Sequence, residues 1–165
     1  MKQISKEEIY LNELNGENDW DKLSQNYILS EDVINEFKDK VNWSLISAYQ
    51  KLSEPFIEKY KNHIDWRNIS EYQILSENFI EKFQNDVIWD KICRCQLLSE
   101  PFIKKLQDKV DWLNISIYQK LSETFIEEFK DKINWSLICV YQKLSEPFIE
   151  KYLNKINWYI WVIFK

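Results

Sequence analysis

Tryptophan recurs in this chain as Trp20, Trp43, Trp66, Trp89, Trp112, Trp135 and Trp158, and every interval is 23 residues. A fixed period of this length marks one small module copied in tandem. Twenty-odd residues cannot bury an apolar side alone, so each module is expected to lean on the next. The module is best read from Trp43 to Asp65, W-S-L-I-S-A-Y-Q-K-L-S-E-P-F-I-E-K-Y-K-N-H-I-D.

Two helix starts can be read inside it. Asp or Asn precedes the Trp as Asp19, Asn42, Asp65, Asp111, Asn134 and Asn157, with Ile88 the one exception, and such side chains accept from the free N–H groups of a starting helix. Apolar residues at the Trp and three residues on, such as Trp43 with Ile46, fit about two helical turns. Ten residues after each Trp stands Ser followed by Glu: Ser30, Ser53, Ser76, Ser99, Ser122 and Ser145. Ser is a strong N-cap, Glu suits the positive helix end, and Pro55, Pro101 and Pro147 fall in the first turn, where no hydrogen bond is lost. Phe56, Ile57, Tyr60 and Ile64 then line one face of a second helix.

The fold expected is all-α, an α-solenoid of two short helices per 23-residue repeat. Leucine-rich repeats are similar in length, but their strand needs alternating Leu and an inward Asn, whereas Ile46 to Leu52 spaces its apolar residues by three. A single Gly and three Pro also disfavour sheets joined by tight turns. Residues 1–19 are expected to be a degenerate capping half-repeat, with a capping box at Ser5 and Glu8 and Gly16 ending its helix. Residues 20–157 hold six tandem helix pairs, and 158–165 a truncated half-repeat. Pro55, Pro101 and Pro147 are spaced by 46, and segments 30–60 and 122–152 differ at six of 31 positions, so the array grew by duplication of blocks.

Composition narrows the function. A net charge of −5 and a pI near 5.1 make nucleic acid an unlikely partner, because its binders carry a basic stripe. Met1 to Glu8 is too polar for a signal peptide, and the apolar run from Trp158 to Phe164 is too short to span a membrane. That run ends the chain apolar. Either Ile160, Trp161 and Phe164 fold back on the sixth repeat, or Trp158, Ile160, Trp161 and Phe164 form a self-association surface.

No constellation for catalysis, metal or cofactor is expected. His63 is the only histidine and stands where other repeats have Lys, so it reads as a solvated helix-end residue. Cys93, Cys95 and Cys139 lack zinc spacing, and Cys93 and Cys139 take the place of Ser24, Ser47, Ser70 and Ser116, where a small residue meets a close contact. The unpaired count fits a reducing compartment, the cytoplasm. There is no Gly-rich phosphate loop. The chain is read as not an enzyme and as needing no cofactor.

Two sets of positions remain. Gln50, Gln73, Gln96, Gln119 and Gln142, seven residues after Trp, are expected to bond free helix-end carbonyls of their own or the adjacent repeat as a ladder. The second set lies one and five residues after Trp, where chemistry varies most: Arg67 and Glu71, Asp90 and Arg94, Leu113 and Ile117, Ser136 and Val140. These pairs share a helix face. With Leu45, Leu137, Ile74 and Leu97 nearby, that face is the candidate protein-binding surface, against drift or burial through curvature of the stack. The second helices, by contrast, keep Glu, Lys, Asp or Asn outward, as in Glu58, Lys59, Glu127 and Lys151, which reads as a solvated face.

The phrase D/N-W-x-x-I-S-x-Y-Q-K-L-S-E-x-F-I-E-K-Y/F, carried over residues 20–165, resembles the tandem repeat of uncharacterised proteins of giant DNA viruses, whose AT-rich genomes favour Ile, Asn, Lys and Tyr. Repeat four departs from it at Cys95 and Leu106. The resemblance implies a viral interaction protein in the host cytoplasm and supplies no catalytic residues. The function expected is therefore a non-enzymatic scaffold for a protein partner. The alternative is a single-stranded nucleic-acid binder reading one nucleotide per repeat.

Overall fold

The computed structural model describes residues 1–155 and divides into two compact units, residues 1–87 and 88–165. Unit 1 contains β1 (Lys2–Gln3), α1 (Lys6–Leu14), α2 (Trp20–Asn26), β2 (Tyr27–Ile28), α3 (Glu31–Glu36), α4 (Trp43–Tyr49), α5 (Glu54–Lys59), α6 (Trp66–Tyr72) and α7 (Glu77–Lys82). Unit 2 contains α8 (Trp89–Cys95), α9 (Glu100–Lys105), α10 (Trp112–Tyr118), α11 (Glu123–Glu128), α12 (Trp135–Tyr141) and α13 (Glu146–Lys151). Within unit 1, α2 packs on α4 and α4 on α6; within unit 2, α8 packs on α10 and α10 on α12. Each unit is thus a stack of helix pairs, and the fold class is an all-α repeat solenoid.

Helices this short are unstable alone, and their ends are fixed by side-chain caps. Asn42 accepts from Leu45 N at 3.2 Å, and Asp65 accepts from both Arg67 N and Asn68 N. Ile88 offers no such acceptor, so α8 begins uncapped. Every second helix starts at its Ser: Ser53 Oγ accepts from Phe56 N at 3.3 Å, and Ser30, Ser76, Ser99, Ser122 and Ser145 do the same three residues on. Pro55, Pro101 and Pro147 sit in those first turns.

The core is a seam of isoleucine. Ile46 and Ile69 in unit 1, and Ile92, Ile115 and Ile138 in unit 2, are fully buried on the first helices; Ile34, Ile57 and Ile80, then Ile103 and Ile126, are their counterparts on the second. Trp20, Trp43, Trp66, Trp89, Trp112 and Trp135 are only half-buried. The indoles of Trp43, Trp66, Trp112 and Trp135 lie against the aromatic residue that ends their own second helix, as Trp43 does on Tyr60 with centroids 4.7 Å apart, and each donates Nε1–H to a carbonyl five residues back, Lys38 O at 2.9 Å for Trp43; Trp20 donates instead to the Glu13 carboxylate. The residue that announces the repeat therefore seals its rim, while a smaller β-branched residue fills its centre.

Polar side chains lock one module to the next. Gln50 donates to Ser24 O and Tyr27 O and accepts from Leu29 N; Gln119 donates to Cys93 O and Gln96 O and accepts from Leu98 N. The expected ladder exists, and it runs to the preceding repeat. Ser47 Oγ accepts from Asp65 N at 3.0 Å and donates to Trp43 O, so it holds the next cap residue in place; in repeat four Cys93 Sγ accepts the equivalent Asp111 N–H. Glu31 grips Ser53 N and Oγ, and Glu100 grips Ser122 in the same way. Glu of the Ser-Glu pair thus serves the following repeat as well as its own helix end.

The N-terminal segment closes the open side of repeat one. That repeat has Tyr27 where the others have Gln, and no repeat before it to bond. Lys2 and Gln3 instead pair in parallel with Tyr27 and Ile28, a two-residue ladder that sequence periodicity had not indicated. Helix α1 ends in a Schellman motif: Gly16 takes φ 69°, Glu17 N donates to Asn12 O and Gly16 N to Glu13 O.

Candidate functional site

The two helical faces differ in how far their charges are already satisfied. On the second helices, charged side chains pair one repeat apart: Lys82 with Glu58 in unit 1, and Lys104 with Glu128, Lys151 with Glu127 and Lys155 with Asp131 in unit 2. The hydrogen bond with Lys151 holds the Glu127 carboxyl below the usual glutamate range and raises Lys151 correspondingly. Exposed pairs of this kind contribute little each, but they satisfy part of the charge on this face.

The first-helix face is different. In unit 1 it holds Arg67 and Glu71 on α6, exposed and half-buried respectively. The equivalent positions on α2 and α4 are partly occupied by links between repeats, since Asn42 donates to Asp21 and Ser44 donates to Asp65. In unit 2 the stacked α8, α10 and α12 bring together Asp90 and Arg94, Leu113 and Ile117, and Ser136 and Val140. Asp90, Arg94, Leu113 and Ser136 are exposed, while Ile117 and Val140 are half-buried. Leu113 keeps 52% of its surface in contact with water, a large fraction for a leucine flanked by aliphatic neighbours.

Tyrosines six residues after Trp complete this face in each unit; four of the six repeats share them, with Asn26 and Cys95 the exceptions, so variation between repeats does not single them out. Tyr49 and Tyr72 in unit 1 and Tyr118 and Tyr141 in unit 2 are all exposed. Arg94 sets its guanidinium 5.6 Å from the Tyr118 ring centre. Between neighbouring tyrosines lie open grooves. That of unit 1 measures about 520 Å³ and is walled by Ser44, Leu45, Ala48, Tyr49, Asn68 and Tyr72. That of unit 2 measures about 300 Å³ and is walled by Ile117, Tyr118, Lys120, Leu121, Tyr141 and Lys143, among others. Ile74 and Leu97, two residues beyond the tyrosine position, are almost wholly exposed at 91% and 93%.

No cluster of His, Cys, Asp and Glu able to hold a metal occurs among the described residues. Burial pushes the Cys93 thiol up to about 12 and raises Cys139 as well, so neither is a ready thiolate. His63 is exposed at its helix end and its ring lies 5.5 Å from that of Trp43, the place that Lys132 and Lys155 take over Trp112 and Trp135. No helix among the described residues is long and apolar enough to cross a membrane. Trp158, Ile160, Trp161 and Phe164, the expected self-association surface, lie outside the described residues. Compared with known proteins, the chain matches no family model, and neither a curated protein nor a solved structure shows significant similarity to it.

Proposed function

We propose that this chain is a non-enzymatic helical-repeat scaffold that binds a protein partner through the first-helix face. The observation that carries the reading is the set of exposed tyrosines with exposed Leu113 and half-buried Ile117 and Val140 beside them: aromatic and aliphatic surface left open to water on a stack that buries its isoleucines completely. Tyr supplies large contact area at low conformational cost and is enriched where proteins meet. The interlocked Gln, Ser and Glu links favour this role, because a stiff support holds such side chains in a fixed array. The resemblance of the repeat phrase extends the reading to a viral interaction protein in the host cytoplasm.

Single-stranded nucleic acid is the second reading, and Lys120 and Lys143 beside Tyr118 and Tyr141 are what favour it. The net charge of −5 and the aliphatic residues between the tyrosines count against it.

The test compares the intact chain with a Leu113→Asp, Ile117→Asp variant by proximity labelling in cells. Proteins labelled by the former and lost with the latter, at unchanged melting temperature, are the expected result. Identical labelling by both would remove this face from the function.

A further inference from the structure

The two units carry very different charge. Residues 1–87 hold 17 Asp and Glu against 10 Lys and Arg, a formal −7, whereas residues 88–165 hold 10 against 12, a formal +2. Within unit 2 the lysines of the second helices are largely committed: Lys104, Lys132, Lys151 and Lys155 each contact a carboxylate of a neighbouring repeat. Lys120 and Lys143 are not. Both are exposed, both wall the groove between Tyr118 and Tyr141, and neither has an ion-pair or hydrogen-bond partner among the described residues. Arg94 adds a third cation on the same face, and Asp90 is the one carboxylate there.

We infer that the groove of unit 2 takes an extended acidic peptide, its carboxylates on Lys120 and Lys143 and its apolar side chains between Tyr118 and Tyr141 against Ile117. This rests on the protein-binding reading above and names the partner's chemistry. Helices in contact pack about 8 to 10 Å apart, so cations one repeat apart match carboxylates two or three residues apart on a strand rising ~3.3 Å per residue. Unpaired cations beside a low-dielectric wall attract carboxylates at short range and repel basic chains, which gives selectivity as well as speed of encounter. An aliphatic floor accepts Leu, Phe or Tyr side chains. Ile117 and Leu121 between the cations suit such side chains better than a sugar–phosphate strand, which favours peptide over nucleic acid.

The test uses the full chain and four fluorescent probes: a decapeptide pool mixing Asp and Glu with Leu, Phe and Tyr, the same pool with Gln in place of the acids, the same pool with Lys, and a twelve-residue oligothymidylate. The acidic pool is expected to bind at least about tenfold more tightly than the Gln pool and to weaken with salt. Lys120→Glu, Lys143→Glu should cost about tenfold or more, whereas Lys51→Glu in unit 1 should leave binding unchanged. If the charge reversal lowers the melting temperature, Lys120→Gln, Lys143→Gln is expected to show the same loss in a folded chain. Equal binding of the acidic and Gln pools would overturn the acidic inference and leave protein binding standing. Preference for oligothymidylate, sensitive to the same lysines, would overturn both. Acidic binding indifferent to these lysines, no binding of any pool, or a concentration-dependent dimer abolished by the lysine changes, which would assign the groove to a second copy, would each overturn the inference.

Discussion

Units 1 and 2 are made from the same module and present different faces to solvent. Inside, they correspond residue by residue: Ile46 and Ile115 are equally buried, and Gln50 and Gln119 make the same three bonds to the repeat before them. Outside, where α4 shows Ser44 and Ala48, α10 shows Leu113 and Ile117. Besides its tyrosines, the groove of unit 1 is walled by Ser, Leu, Ala and Asn and carries no charge, whereas that of unit 2 is walled by Ile, Leu, two Gln and two Lys. The comparison separates two jobs. What is held constant builds the stack, and what is allowed to change gives each stretch of it a different surface.

The largest expected effect breaks the constant part. Ile46→Ala and Ile115→Ala each remove a fully buried side chain and should cost about 2–5 kcal/mol, read as a loss of chemical-denaturation midpoint. Costs that differed severalfold would show that the two seams are not equivalent. Next come Gln50→Leu and Gln119→Leu, which strand two buried carbonyls and one N–H apiece. About 3 kcal/mol is expected for each, or roughly 6–12 °C in melting temperature for a chain of this size.

Smaller effects sharpen the outer difference. Exchanging surfaces, with Ser44→Leu, Ala48→Ile in unit 1 and Leu113→Ser, Ile117→Ala in unit 2, should alter stability by about 1 kcal/mol or less while moving partner capture from one unit to the other. Capture that stays with unit 2 would point to its lysines rather than its aliphatic residues. Cys93→Ser should be close to neutral, since Ser47 and Ser116 accept the same cap N–H in their own repeats; Cys93→Ala should cost ~1 kcal/mol through the orphaned Asp111 N–H. The smallest effect is that of Glu127→Gln. Because the folded-state pKa of Glu127 is depressed, its contribution is present above the ordinary glutamate range and lost as pH falls through the folded value. Melting should therefore drop by about 1 °C or less at neutral pH, and the difference should vanish in acid or high salt.

Much of the helical framework was legible because it is local. A Ser whose hydroxyl reaches the N–H three residues on, a Pro in a first turn and a Gly at the end of α1 each act within one turn of chain, so their spacing alone identifies them. Links to another repeat were legible only in part. The glutamine ladder could be anticipated from a neutral amide recurring at a helix end, but its direction could not. The second role of Glu31 and Glu100, reaching Ser53 and Ser122 across 22 residues, was hidden because helix capping already accounted for them. Repeat comparison singled out Leu113 and Ile117 by their variation and passed over Tyr118, a residue that four of the six repeats share.

The sequence by itself determined the module, its two helices and the number of times it recurs, because hydrogen-bonded caps and 3.6-residue periodicity are written within a few residues of each other. Only the tertiary structure decided that isoleucine rather than tryptophan occupies the centre, that Lys82, Lys104, Lys151 and Lys155 find a carboxylate in a neighbouring repeat, and that Lys120 and Lys143 have none among the described residues. Burial and ion pairing are set by which side chains face one another once neighbouring helices have packed, and one module read in isolation contains no neighbour.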